Sequence, residues 1–487
     1  MSLKIQAIAG IKWTTAASII NSLLQIVQLA ILARLLDPTD FGLMALVMVV
    51  IGFSQMFIDM GVSNALIYKQ KITIEQLSSL YWLNIIIGLL LFILLIVVSP
   101  FVSNIYENQK LTSVINLVAI TFLIKPWGQQ FMVLLQKNMQ FNAIAKTDIA
   151  SRFISFIFVI VLAYKNFGVY SIAIGTVIFA IFSTIGYNFY GRNLYKPKLF
   201  LNIKLLKSFL GFGLFQMGEK IINYFSTQFD TILIGKLLGI ETLGIYNVAK
   251  SIVSKPSAII NPVVTKVTFP LMSKFNNDIS QLKSVFLKTM NYLSFANFPV
   301  YFLLVILARP IVLIMFGEEW ESAIPIVQIL SLTFLLRAIG NPSGSLLLSK
   351  GKANVAFYWN LILFIFYPLS IYIGSYWGII GITWSLVILH FIILYPNWRF
   401  IVHETCKAGI IEYSETLKYP IIISGISILV SILTLSLVDE YILKLIFGVL
   451  LFSFVFLFLL FKIQPIAFYE IRSLIIGSSS MKKLVNK

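Results

Sequence analysis

"RLLDPTDFGLM" (34–44) returns 202 residues later as "KLLGIETLGIY" (236–246), and this repeated phrase decides how the chain is built. Both copies hold a basic residue, two leucines, an acid-bearing turn and a glycine that opens an apolar run. Working outward, "IIN" at 19–21 falls on "IIN" at 221–223 at the same offset. "SPFV" (99–102) then meets "RPIV" (309–312) at offset 210, and "TFLIK" (121–125) meets "TFLLR" (333–337) at offset 212. Short Leu- and Ile-rich matches arise singly by chance. Collinear matches whose offset drifts slowly are what duplication followed by small loop insertions leaves behind.

Composition sets the solvent. Hydrophobic residues make up 59% of 487 and charged residues 11%, where a soluble domain carries about 25% charged. Apolar stretches long enough to cross a bilayer recur from 12–34 to 441–462, and we expect fourteen of them. They read as helices, because an open sheet edge does not survive in hydrocarbon and no barrel alternation is present. The expected fold is an all-α polytopic membrane protein. The start "MSLKIQAIAGIKW" runs into the first span without a small-residue cleavage site, so no removable signal is expected.

A net charge of +18 could suggest nucleic acid, but its distribution argues otherwise. With the N-terminus inside, 26 of the 37 Lys and Arg fall in predicted cytoplasmic segments. Five (Arg34, Lys110, Lys165, Lys236, Lys444) fall in outer loops, and the rest lie within spans. That bias is the positive-inside pattern with both termini cytoplasmic, and it favours contact with anionic lipid headgroups. The lone Cys406 excludes an internal disulfide and is expected in a cytoplasmic loop, without a catalytic partner beyond His403. His390, inside a span, is expected to be a satisfied packing residue.

Each repeat holds six spans. An even number brings both halves into the membrane in the same sense, as parallel repeats about an axis along the membrane normal with a cleft between them. The expected domains are a six-helix lobe at 1–200, a second at 201–408, and two further helices with a tail at 409–487. The basic linker 191–208 is expected to lie at the cytoplasmic interface.

Polar residues form stripes inside the membrane. Thr14, Ser18, Asn21, Gln25 and Gln28 share one helix face, and adding 202 gives Gln216, Lys220, Asn223, Thr227 and Asp230, with Glu219 alongside. The next span continues with Asn247, Lys250, Ser254, Ser257 and Asn261, with Lys255, Pro256 and Pro262 on or beside it. The second span offers Gln55 and Asp59. Neutral polar residues alone often serve as glue between helices. The charges are harder to explain that way. Lys125 and Arg337, repeat mates, each lie 13 residues into their spans, roughly 20 Å deep by helical rise. A cation at that depth costs about 2.5 kcal/mol or more unless it is paired or hydrated. The candidate lining holds Lys125, Lys220, Lys250, Lys255 and Arg337 against Asp59, Glu219 and Asp230, an excess of two positive charges. A site so lined should take an anion.

"ARLLDPTDFGLMALVMVV" (33–50) and "DMGVSNALI" (59–67), with the span count and the 6+6+2 organisation, resemble the polysaccharide transporter family. These are oligosaccharide-lipid flippases of the multidrug/oligosaccharidyl-lipid/polysaccharide exporter superfamily. The resemblance implies two bundles that alternate in access and carry a polyprenyl-pyrophosphate-linked oligosaccharide across the bacterial cytoplasmic membrane. It implies no cofactor and a functional monomer beside polysaccharide polymerase machinery. Asp59, Glu219 and Asp230 are the candidates either for binding H⁺ or Na⁺ as a coupling ion or for neutralising neighbouring cations, and neutralisation is the expected role of Glu219, adjacent to Lys220. A cation-coupled drug antiporter of the same superfamily should instead use buried carboxylates and few lysines. A lipid II flippase is a closer variant. A membrane polymerase or ligase needs acid/base or nucleophilic groups, often on a large outer loop, whereas the outer loops expected here are short.

Overall fold

The computed structural model describes residues 3–59, 66, 72–202, 206–435, 437–465 and 468. Side chains are described at these positions except 3–9, 11, 58, 59, 207–220 and 353. Among the described residues there is helix and no strand. The stretch 59–67 therefore lies largely outside the described residues.

Two compact units divide the chain at Asn247 and Val248. The first holds α1 (Leu3–Ala33), α2 (Pro38–Asp59), α3 (Ile74–Ile105), α4 (Lys110–Ala119), α5 (Thr121–Ile124), α6 (Pro126–Lys137), α7 (Phe141–Tyr164), α8 (Val169–Gly191) and α9 (Lys207–Leu237). It also takes the start of α10 (Ile240–Lys274). The second unit holds the rest of α10, α11 (Ile279–Met315), α12 (Ala323–Ser349), α13 (Ala353–Ser375), α14 (Gly378–Pro396), α15 (Glu404–Cys406), α16 (Ile410–Leu435) and α17 (Tyr441–Ile463).

Among the described residues, eleven helices are long and apolar enough to cross a membrane, or twelve when α4–α5 and α6 count as one bent span. The chain is a multi-pass membrane protein. Fourteen spans are not all accounted for on that measure. The two long helices outside the set are α9, described in its side chains only from 221, and α10, which carries Lys250, Lys255, Lys266 and three prolines. Both carry polar stripes, as α1 does within the set.

Helix starts follow local chemistry. Thr73 and Gln76 form a reciprocal capping box at the start of α3, each side chain accepting the other's backbone N–H at 3.2 Å. Asp278 caps α11 by accepting Gln281 N–H at 3.0 Å. The outward faces stay apolar, as on α3, where Leu90, Leu94, Val97 and Phe101 are exposed. Inward contacts use small residues. Ser155 Oγ donates to Gly175 O at 2.7 Å across α7 and α8, where a Cβ on Gly175 would overlap Val159.

The linker after α8 folds back onto α3. Lys198 N–H and Asn202 N–H donate to Ser78 Oγ and Ser79 Oγ, and Trp82 Nε1 donates to Lys198 O at 2.8 Å. Tyr195 is buried there with its hydroxyl 2.8 Å from Ser78 Oγ. Burial pushes its phenol above the usual range, and the Ser78 bond opposes that shift. Past α14 the chain makes a π-helical turn, Asn397–His403, into α15. Cys406 is therefore not in an open loop. It is buried, with Sγ donating to Val402 O at 3.3 Å.

Candidate functional site

The repeated phrase is a point of contact. A Cβ placed on Gly42 would sit 1.9 Å from Ile240 O, and one on Gly244 would sit 1.7 Å from Pro38 O. Pro38 and Ile240 are separated by 202, as are Gly42 and Gly244. The two copies of the phrase thus pack against each other reciprocally, each glycine under the other copy's first helical carbonyl. Only a residue without a side chain permits that approach. Asp40, from the same phrase, accepts the Val169 N–H at the start of α8, and a carboxylate there also opposes the helix dipole favourably. Further along, Tyr224 OH donates to Val49 O at 2.7 Å, holding α9 against α2.

The fourth pass is broken where its cation sits. The segments 110–124 and Pro126–Lys137 meet at 51° with Lys125 between them. Pro126 has no N–H to give and its ring crowds the preceding turn, which is sufficient cause for the kink. Gly88 of α3 admits the bend, since a Cβ there would meet Phe122 O at 2.4 Å. Lys125 is half-buried, and among the described residues its ammonium has no hydrogen bond or ion pair. Its electrostatic neighbour is another cation, Arg152 of α7.

Arg152 is the residue that pattern reading missed. Its guanidinium stacks over Phe179 at 4.4 Å from the ring centre, and its buried Nε has no partner among the described residues. Asp148, one turn earlier, is taken up by the Tyr187 hydroxyl of α8. The nearby stripe of α1 contributes Asn21, whose buried Oδ1 also lacks a partner among the described residues. Gln25 and Gln28 are half-buried on the same face.

The second unit differs. Arg337 is exposed on α12, over Phe334 at 5.1 Å, with no break at its position because Ala338 follows where Pro126 follows Lys125. Its charge faces His390 and Tyr301. His390 is satisfied as expected, with Nδ1 donating to Leu386 O at 2.7 Å and Nε2 accepting from Tyr367 OH at 2.8 Å. Tyr301 is wholly buried, and its hydroxyl accepts Ser257 N–H and donates to Val253 O, both at 3.2 Å. Those two backbone groups would pair with each other in an unbroken helix. Tyr301 thus splices into α10 beside Pro256, which itself lacks the N–H for one rung of the helix. Arg309 pairs with Glu321 at 2.8 Å.

The other expected residues scatter. Asn261 is buried and accepts from Asn297 Nδ2 at 3.0 Å, which makes it helix glue. Asp230 accepts from Tyr246 OH and Thr231 N–H at 2.7 Å, tying α9 to α10. Asn247, Lys250 and Lys255 are half-buried and Asn223 is exposed. The side chains of Asp59, Glu219 and Lys220 lie outside the described residues.

Residues 31–325 match the family described as Polysaccharide biosynthesis protein. The chain belongs to that family. Relatives match along most of it. "Teichuronic acid biosynthesis protein TuaB" of Bacillus subtilis (strain 168) is 34% identical over 87% of this chain and 88% of its own. "Lipopolysaccharide biosynthesis protein WzxC" of Escherichia coli (strain K12) is 30% identical over 88% of each. Among solved structures, "Lipid II flippase MurJ, inward closed conformation" aligns over 93% of this chain and 98% of its own, with a TM-score of 0.76 at 18% identity. That likeness establishes the fold, and the "Inward-facing conformation of a multidrug resistance MATE family transporter of the MOP superfamily" also aligns, over 78% of this chain and 94% of its own, with a TM-score of 0.61 at 13% identity.

Proposed function

We propose that this protein is a flippase that moves a polyprenyl-pyrophosphate-linked oligosaccharide across the bacterial cytoplasmic membrane for a surface polysaccharide. The observation that carries this reading is Lys125. A membrane protein keeps a half-buried cation at a helix break, without an ion pair among the described residues, only at a cost that an anionic substrate offsets. Membership of a polysaccharide biosynthesis family supplies the glycan, and relatives include the "Succinoglycan biosynthesis transport protein ExoT" of Rhizobium meliloti (strain 1021). A pyrophosphate meets Lys and Arg by charge-assisted hydrogen bonds, the sugars meet Asn and Gln, and the prenyl tail stays in lipid. The drug-antiporter reading would need free carboxylates at the centre of the site, and the described ones are engaged, Asp230 by Tyr246 and Thr231 and Asp148 by Tyr187. A strain deleted for the gene should accumulate the lipid-linked oligosaccharide on the cytoplasmic leaflet. Normal surface polymer in that strain would refute the proposal.

Both termini are proposed to be cytoplasmic, following the charge bias. Lys196→Cys, in the linker, and Glu319→Cys, between α11 and α12, both sit at exposed positions, while the native Cys406 is buried and should stay silent. An impermeant maleimide should label Glu319→Cys in intact cells, and Lys196→Cys only after the membrane is opened. The opposite order would invert the topology.

A further inference from the structure

The linker after α8 is clamped to α3 on both sides of a single residue. Before it, Tyr195 is buried against Ser78, and Lys198 N–H donates to Ser78 Oγ at 3.2 Å. After it, Asn202 N–H donates to Ser79 Oγ at 3.0 Å. Between these ties, Phe200 N–H donates to Lys198 O at 2.8 Å, the i→i+2 bond of a γ-turn. Trp82 Nε1 donates to the same carbonyl and fixes the turn against the helix. Leu199 is its apex and is 90% exposed, with Phe200 and Leu201 also exposed beside it. A loose linker could turn such a side chain back onto protein. Here the backbone bonds hold it out.

The depth of this tip follows from the helix that carries it. α3 has 32 residues, about 48 Å at helical rise, against a hydrocarbon core about 30 Å thick. Roughly six residues therefore stand outside the core at each end, which brings Ser78, Ser79 and Trp82 to its boundary. Trp82 meets Tyr81 and Trp127 edge-on there, the aromatic setting of a membrane interface. The same stretch of linker carries Arg192, Lys196 and Lys198, all exposed, and the chain has no Asp or Glu between Asp148 and Glu219. We propose that the Leu199 tip and its flanking lysines form a docking site for an anionic phospholipid, the leucine among the acyl chains and Lys196 and Lys198 on the headgroup phosphate. Charge complementarity selects this occupant. A neutral lipid would cover the leucine and leave the cations without an anion, and a soluble partner would have to reach the hydrocarbon boundary. The site uses only the linker and α3, so it stands apart from the flippase reading.

Quenching by brominated lipid tests the site in proteoliposomes of the full-length protein. Leu201→Cys carrying a bimane label reports on the tip with Leu199 intact, and the native Cys406 is buried and should stay unlabelled. Brominated phosphatidylglycerol and brominated phosphatidylcholine are compared at equal mole fraction. Phosphatidylglycerol should quench at least twofold more strongly. Lys196→Gln combined with Lys198→Gln should reduce that preference while quenching by phosphatidylcholine persists, and raised salt should act in the same direction. Leu199→Asp should weaken quenching by both lipids. All three positions are exposed, so these substitutions leave the packed interior untouched. A label quenched by neither lipid would mean a tip in water or under a soluble protein, and would overturn the proposal. Equal quenching by the two lipids, or a preference undiminished in the double lysine variant, would overturn the anionic assignment.

Discussion

Gly42→Ala and Gly244→Ala each reduce export at least fivefold, by loss of folded protein or of turnover, while Gly425→Ala leaves both unchanged. The three substitutions add the same methyl group in different surroundings. At Gly42 and Gly244 the new carbon arrives 1.9 Å and 1.7 Å from a backbone carbonyl, whereas at Gly425 nothing lies within 4 Å. An ordinary C···O approach is about 3.4 Å, so α2 and the start of α10 must separate by roughly 1.5 Å to admit it. Backbone cannot yield as a flexible side chain can, and overpacking of this kind costs about 1–3 kcal/mol or more. Larger residues at 42 or 244 should be worse in order of size. Surface polymer normalised to membrane protein level reads the effect, and wild-type export from both alanine variants would show that the reciprocal contact is dispensable.

Lys125→Ala should reduce export more than Arg337→Ala. The order comes from environment. Lys125 is half-buried at a 51° break without an ion pair among the described residues, while Arg337 is exposed and rests on Phe334. Neither truncation should harm membrane insertion, since removing a charge lowers the cost of burial. Lys125→Arg and Arg337→Lys should retain part of the activity, because charge survives although the geometry of its hydrogen bonds does not. Glu at either site should be worse than Ala by repelling phosphate. A cation antiporter would give a different ranking, with Asp59, Glu219 and Asp230 sensitive and the two basic sites tolerant. Complementation of a deletion strain with the full set decides between the rankings.

The helical architecture was legible because long apolar runs in a membrane leave the backbone few alternatives, and the duplication was legible because its matches keep their order. The depth of Lys125 could be counted directly. The break beside it was written in Pro126, a signal that a search for uninterrupted spans passes over. Arg152 falls, on a charge-counting reading, at the cytoplasmic entrance of the fifth span, and only packing shows its guanidinium turned onto Phe179. Pairings such as Tyr187 with Asp148, or Tyr301 with the Val253–Ser257 rung of α10, join residues 39 or more apart and follow no local period. A polar stripe in the sequence does not say which of its members are used up. Asn261 is spent on Asn297 and Asp230 on Tyr246, while Asn21 keeps a buried oxygen without a partner among the described residues.

Purified protein reconstituted in liposomes with a polyprenyl-diphosphate-linked saccharide in both leaflets gives the most direct measurement. An impermeant enzyme that cleaves the exposed saccharide destroys only the outer-leaflet pool when no flippase is present. With wild-type protein the inner pool should become accessible and be consumed, and with Lys125→Ala it should remain protected. A protected inner pool in wild-type liposomes, or equal access with Lys125→Ala, would contradict the account.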